Sequence, residues 1–237
     1  MLFGEHMTQL LALHHPESPL FQPIQIATHF FMHGNFMHLA FNMFGLIILG
    51  PILEQIWGHK QFLLYFFVCA IGASVIYMLH LTWKITALQE AMYAFKETST
   101  LVDFQRFIDA LGFGPEQINM DVINQMSRGM TPEYIGLANE FINEYYYKVL
   151  NTTVLGASGA VYGLLAAIGL IFPNHDLKIL FLPITIKAKH LVMGLLAYGL
   201  YQGLFPSFGD NTAHFAHLGG AITGFFLILY WRKFGNG

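Results

Sequence analysis

The sequence predicts an all-α fold, a polytopic bundle of transmembrane helices, and three observations carry that prediction. Of 237 residues, 55% are hydrophobic and only 11% are charged, too few charges for a water-soluble domain of this size. Apolar runs near the roughly 20 residues that a helix needs to cross a hydrocarbon core recur along the chain. A single long stretch rich in acidic residues interrupts them.

The elements follow in order. Residues 1 to 15 lack the basic start and the long apolar stretch of a cleavable signal peptide, so the chain is expected to open on a short extramembrane segment. A first span covers about 33 to 56 and is interrupted by Pro51 near its far end. A second runs over 61 to 83, a third over 153 to 172, a fourth over 191 to about 208 and a fifth over 212 to 231. Between the second and third, residues 84 to 151 break the pattern with Glu90, Glu97, Asp103, Asp109, Glu116, Asp121, Glu133, Glu140 and Glu144. Within that insertion Val102, Phe104, Phe107, Ile108 and Leu111 recur at helical spacing, as do Tyr134, Leu137, Phe141 and Tyr145. Turn signals at Gly112-Phe113-Gly114-Pro115 and at 129 to 132 separate two or three short amphipathic helices. The insertion is either a packed cap without chemistry or an element that gates substrate access or docks a partner. The resulting division is 1–83, 84–151 and 152–237, one interrupted domain overall.

Charge sets the direction. Lys60, then Lys178, Lys187 and Lys189, then Arg232 and Lys233 fall on one side if the spans alternate, and by the positive-inside rule that side is cytoplasmic. Residues 1 to 32, the insertion and the short turn at 207 to 211 fall on the other. The expected location is a multi-pass integral protein of the plasma membrane, a bacterial inner membrane, with the lipid bilayer as its surroundings. A net charge of -3 supplies no basic field for nucleic acid. Cys69 is the one cysteine, which excludes an internal disulfide and a thiolate metal site.

Alternating spans make the first, third and fifth parallel. His38 and Asn42, Ser158, and His217 then lie at similar depth in one leaflet, where polar side chains face a bundle interior or a water-filled cavity. Serine needs a base within hydrogen-bond reach, and a neutral histidine is one. Ser158 and His217 fit those roles as a dyad. No carboxylate lies in the spans at that depth, so a triad is not indicated; Tyr162, one turn beyond Ser158 on the same face, can pack on the His217 ring instead. His38 and Asn42, spaced i,i+4, are candidate donors to a developing oxyanion, with the Ser158 backbone N–H as a third. Glycines 156, 159, 163, 219, 220 and 224 allow close helix approach, and Gly220 and Gly224 form a small-xxx-small pair beside His217. None of these residues calls for a cofactor.

These motifs resemble one family. His38-Leu39-Ala40-Phe41-Asn42, Gly156-Ala157-Ser158-Gly159 with Tyr162, and Ala216-His217-Leu218-Gly219-Gly220 through Gly224 are similar in order, spacing and span placement to the rhomboid intramembrane serine proteases. The approach His29-Phe30-Phe31-Met32-His33-Gly34-Asn35-Phe36-Met37-His38 is also similar. The resemblance covers about 20 to 83 and 152 to 233. It implies Ser158 as nucleophile, His217 as general base, His38 and Asn42 as oxyanion residues, Tyr162 as the stacking tyrosine, and Gly220 and Gly224 as close-packing glycines. The implied reaction is hydrolysis of a peptide bond in or next to a substrate's transmembrane helix. By position the five spans correspond to the second to sixth of the family's common six, with the first helix lacking here. The insertion then falls between the family's third and fourth helices, on the face where the active site opens.

Other readings compete. His29, His33, His38, His214 and His217 suggest a metal site, but the His-Glu-x-x-His of a helical metalloprotease is absent. His214 is read as lining the aqueous cavity, and His29 and His33 as structural or polar-face residues near the interface. A silent membrane scaffold would not need Ser158 and the oxyanion pair together, and a proton-linked transporter is expected to show repeats that the two halves lack.

Overall fold

The computed structural model describes residues 4–113, 117–178, 185–205 and 213–234. The expected turn at 207 to 211, Gly114 and Pro115 of the earlier turn, and the junction between the fourth and fifth spans lie outside them. The order is α1 (Gly4–Leu11), α2 (Gln25–Thr28), a 3-10 turn (His29–Phe31), α3 (Phe36–Thr98), α4 (Leu101–Leu111), α5 (Met120–Met126), α6 (Pro132–Leu150), α7 (Ser158–Ile171), α8 (Ala188–Leu204) and α9 (His214–Phe234). Among the described residues, strand is confined to two-residue pieces at Leu13–His14 and Thr153–Val154 and to the antiparallel pair Asp176–Lys178 and Thr185–Lys187. The fold is all-α, as the composition and periodicity predict.

The described residues form two compact units, one within Met1–Leu13, Gln22–Met78 and Val154–Gly237, the other within His14–Phe21 and Leu79–Thr153. In the first unit, Asn35 Oδ1 accepts the His38 N–H at 2.8 Å and so caps the start of α3. The first two expected spans are two helical stretches of α3 that meet at Gly58, with φ 74° and ψ 164°, inside the gap of 57 to 60 expected between them. The interruption expected at Pro51 is not present, since that residue lies inside helical backbone. Proline removes a single i→i−4 bond, which neighbouring turns tolerate, whereas a left-handed φ reverses the chain and suits only a residue without Cβ.

Two helices, α3 and α9, are long and apolar enough to cross a membrane among the described residues. The third expected span is shorter than its apolar run. α7 has 14 residues, about 21 Å at 1.5 Å per residue, because residues 153 to 157 are strand and turn. Outward-facing side chains remain strongly apolar: Ile47 is 70% exposed, Met193 66% and Phe226 63%, a surface matched to lipid and costly in water.

The interior of this unit gathers Leu49, Leu53, Tyr65, Cys69, Leu164, Ile168 and Ile228 from α3, α7 and α9. Tyr65 is fully buried, and its hydroxyl donates to the Gly163 carbonyl at 2.8 Å, which removes the cost of an unpaired buried O–H. Arg232 Nη2 donates to the Leu170 carbonyl at 3.0 Å, satisfying one orphan acceptor at the end of α7.

The second unit is built from the end of α3 and α4 to α6. Thr100 Oγ1 accepts the Asp103 N–H at 3.3 Å, and Asp103 accepts from Thr98 Oγ1 at 2.5 Å, Thr100 Oγ1 at 2.6 Å and Arg106 at 2.8 Å. Phe104, Phe107, Ile108 and Leu111 form the buried face of α4, whereas Val102 is 60% exposed and falls off it. On α6 the buried residues are Ala138, Ile142, Tyr146 and Leu150. Leu137 of the expected stripe is exposed, so the sequence reading followed the neighbouring aromatic row. Bulky rings on a helix flank imitate a core face in any count of apolar residues.

The hydrogen bonds from Thr100 and Thr98, and then the charge of Arg106, hold the Asp103 carboxyl below its ordinary value. A folded-state pKa below the unfolded one stabilises above the ordinary carboxylate range near pH 4 and is lost as pH falls through the folded value. Thr100→Ala is accordingly expected to weaken the start of α4 by about 1 kcal/mol, read as roughly fivefold faster amide exchange in its first turns. Acidification below about pH 4 should also speed exchange in these turns of the parent chain and not in Asp103→Asn.

Candidate active site

The site is assembled from the N-terminal ends of α3, α7 and α9. Gly156 precedes α7 with φ +99°, a conformation an L side chain rarely adopts, and its N–H donates to the His29 carbonyl at 2.8 Å. The turn ends where Ser158 opens α7, and the first α-helical bond returns from the Val161 N–H to the Ala157 carbonyl. Ala157 offers no side-chain cap. The N–H groups of Ser158, Gly159 and Ala160 therefore point forward from the helix, where partial positive charge accumulates.

Ser158 Oγ lies 2.9 Å from His217 Nε2. In the Nδ1–H tautomer of a neutral imidazole the hydroxyl donates to Nε2, the arrangement that lets the ring take the serine proton. Tyr162 lies flat on the His217 ring, centroids 4.2 Å apart and planes 6° apart, which fixes the imidazole plane without a carboxylate. All three side chains are half-buried, shielded yet open to a reacting group.

His38 and Asn42 converge on the same turn. A Cβ placed on Gly156 would stand 2.8 Å from His38 Nε2 and 3.4 Å from Asn42 Nδ2, so both groups rest against the backbone two residues before Ser158. His38 Nδ1 accepts the Gly34 N–H at 3.4 Å, which leaves Nε2 as the protonated nitrogen facing Gly156. Asn42 is 4% exposed, and its Nδ2 has no hydrogen-bond partner among the described residues. A buried amide kept with unused donors costs about 1–3 kcal/mol, a cost that an acceptor arriving beside Ser158 would relieve.

The glycines set the spacing of this frame. A Cβ on Gly220 would stand 1.9 Å from the Gly159 carbonyl oxygen, and one on Gly224 would stand 2.2 Å from the Tyr65 hydroxyl. The helices that carry Ser158 and His217 therefore touch backbone to backbone directly beneath the pair.

Every sequence-derived site residue reaches this one region: Ser158, His217, Tyr162, His38, Asn42 and Gly156 around the turn, Gly220 and Gly224 under it. Of the two roles expected for His29 and His33, their placement is the structural one: they are buried, 2% and 4% exposed, His29 bonds Gln25 and Ser74, and His33 packs edge-on to His38 at 5.2 Å. His214 is buried edge-on between Tyr198 and His217. Among the described residues no three His, Cys, Asp or Glu side chains converge at a metal-binding distance. Sequence reasoning missed the His29 carbonyl and Ser74 as supports of the Gly156 turn. The repeated histidines before α3 were the available signal.

The Rhomboid domain family matches residues 20–87 and 134–234. The chain belongs to the rhomboid family. Both matched segments together contain every residue of the site, and the stretch of this rhomboid left unmatched between them, residues 88 to 133, lies within the expected insertion, the match resuming inside α6. A curated relative, Rhomboid-like protease 3 of Toxoplasma gondii, is 29% identical over 75 residues, covering 32% of this chain and 28% of that protein. The rhomboid described here thus spans less than a third of that relative's length. No solved structure matches significantly. Family membership places the protein in the membrane and makes intramembrane proteolysis the activity to consider.

Proposed function

We propose that this rhomboid is an intramembrane serine endopeptidase that hydrolyses peptide bonds in or near the transmembrane segments of membrane proteins. The observation that carries the reading is the 2.9 Å Ser158–His217 contact with Tyr162 stacked on the imidazole. In the proposed reaction Ser158 Oγ bonds to the scissile carbonyl carbon while its proton passes to His217 Nε2. The carbonyl oxygen, now an oxyanion, is met by His38 Nε2–H, Asn42 Nδ2–H and the forward N–H groups of α7. Collapse breaks the C–N bond, and His217 returns the proton to the leaving amine. Water then attacks the acyl-enzyme with His217 again as base, releasing the carboxylic acid and restoring the Ser158 hydroxyl.

Basic residues at Lys60, Lys178, Lys187, Lys189, Arg232 and Lys233 support a non-cytoplasmic opening of the site. A fluorophosphonate tests the chemistry because it reacts only with an activated serine. Labelling mapped to Ser158 and absent from His217→Ala is the expected result; an unlabelled parent chain would favour a silent scaffold. Asn42→Ala is expected to lower kcat by about a hundredfold to a thousandfold with little change in KM. A rise confined to KM would remove Asn42 from the oxyanion site.

A further inference from the structure

We propose that His29 is a positioning residue for the oxyanion turn, acting through its own main-chain carbonyl; the proposal rests on the protease reading above. The Gly156 N–H has that carbonyl as its acceptor, at 2.8 Å. Because Gly156 has no side chain and a left-handed φ, little else fixes the direction of this peptide, and His38 and Asn42 lean directly on it. Where the His29 carbonyl goes, the turn goes.

The His29 side chain holds that carbonyl from two directions. Nδ1–H donates to the Gln25 carbonyl at 2.7 Å, which a carbonyl oxygen can only accept. Nε2 is therefore the acceptor for the Ser74 hydroxyl, also at 2.7 Å, closer than the Ala70 carbonyl that competes for the same proton at 3.1 Å. Gln25 is in turn tied back by its Nε2 to the Gln9 carbonyl at 3.0 Å. Ser74 sits on α3 beside Ala73, against which Gly159 packs so closely that a Cβ on Gly159 would stand 2.3 Å from the Ala73 Cβ. The same stretch of α3 thus contacts α7 next to Ser158 and anchors the imidazole whose residue orients the turn before Ser158. His29 is 2% exposed, and burial lowers its pKa, consistent with the neutral donor–acceptor ring that these partners require.

His29 touches no reacting atom in this scheme, so its removal should act through the oxyanion donors. His29→Ala leaves the carbonyl in place and frees it. For folded enzyme, quantified by size-exclusion chromatography, kcat on a single-span substrate is expected to fall about tenfold to a hundredfold, in keeping with the cost of misplacing a catalytic group by about an ångström. KM should stay within about twofold. Ser74→Ala, which loses one of the two anchors, should show a smaller drop, and His29→Asn, which keeps an N–H for Gln25, should recover part of the rate.

The decisive readout is a double-mutant cycle with Asn42→Ala. If His29 acts through the oxyanion site, the double variant is little slower than Asn42→Ala alone; a general loss of structure would multiply the two effects. Unchanged kcat in His29→Ala and Ser74→Ala, or multiplicative losses, would overturn the proposal. Should His29→Ala fail to fold, Ser74→Ala carries the same cycle. Cleavage that survives Ser158→Ala would instead remove the protease reading, and this proposal with it, by a separate result.

Discussion

Gly220→Ala is expected to destabilise the protein by about 1–3 kcal/mol and to lower its turnover by about a hundredfold. The new Cβ would stand 1.9 Å from the Gly159 carbonyl oxygen and 2.5 Å from its carbon, and neither atom belongs to a side chain that can rotate away. Relief requires α7 and α9 to separate by more than an ångström at this level. Ser158 is the residue before Gly159, and His217 lies one turn before Gly220. Separation therefore lengthens the 2.9 Å contact between the proposed nucleophile and base. Gly194→Ala on α8 is the matched control, because nothing lies within 4 Å of the added Cβ, and its expected effect is nil or slightly stabilising by helix propensity. Thermal unfolding in detergent together with kcat for both variants checks the pair of expectations.

Ser158→Ala and His217→Ala should each lower kcat by about ten-thousandfold or more without unfolding the protein. Alanine removes one hydroxyl or one ring from half-buried positions, and neither side chain joins the packed interior of Leu53, Tyr65, Cys69 and Leu164. The double variant should be no slower than the worse single one, because the two groups act on one proton. Tyr162→Ala belongs to the same unit. Its loss frees the His217 ring from a 6° stack, and its effect should shrink sharply when His217 is already alanine.

Much of this site was legible from residue types and spacing alone. Ser158, His217, His38 and Asn42 are polar residues near the starts of parallel apolar helices, and a bilayer leaves such side chains few places to point. The stacking of Tyr162 follows from its i,i+4 relation to Ser158. Backbone geometry was less legible. Hydropathy counts Val154 and Leu155 with the third span, but the φ of Gly156 turns the chain there and delays α7 to Ser158. The interruption expected at Pro51 fails for the same reason, because a helix absorbs that residue, whereas Gly58, in the gap expected between the first two spans, does end one. On α6 the aromatic row of Tyr134, Phe141 and Tyr145 outweighed the smaller residues Ala138 and Ile142 that face inward.

The contacts that position the turn were hidden for a different reason. The His29 carbonyl and the Gly156 N–H are backbone atoms far apart in sequence, and no side-chain pattern encodes their meeting. His29 and Ser74 are likewise separated by the whole first half of α3. Such pairs become visible only once the helices are packed.

The central claim is that Ser158, activated by His217, is the nucleophile of an intramembrane peptidase. Reconstituting the parent chain and Ser158→Ala in liposomes with a single-span reporter, and following the reporter by mass spectrometry, tests it most directly. The expected result is cleavage within or beside the reporter's transmembrane segment by the parent chain and none by Ser158→Ala; equal cleavage by both, or none by either in folded protein, would contradict it.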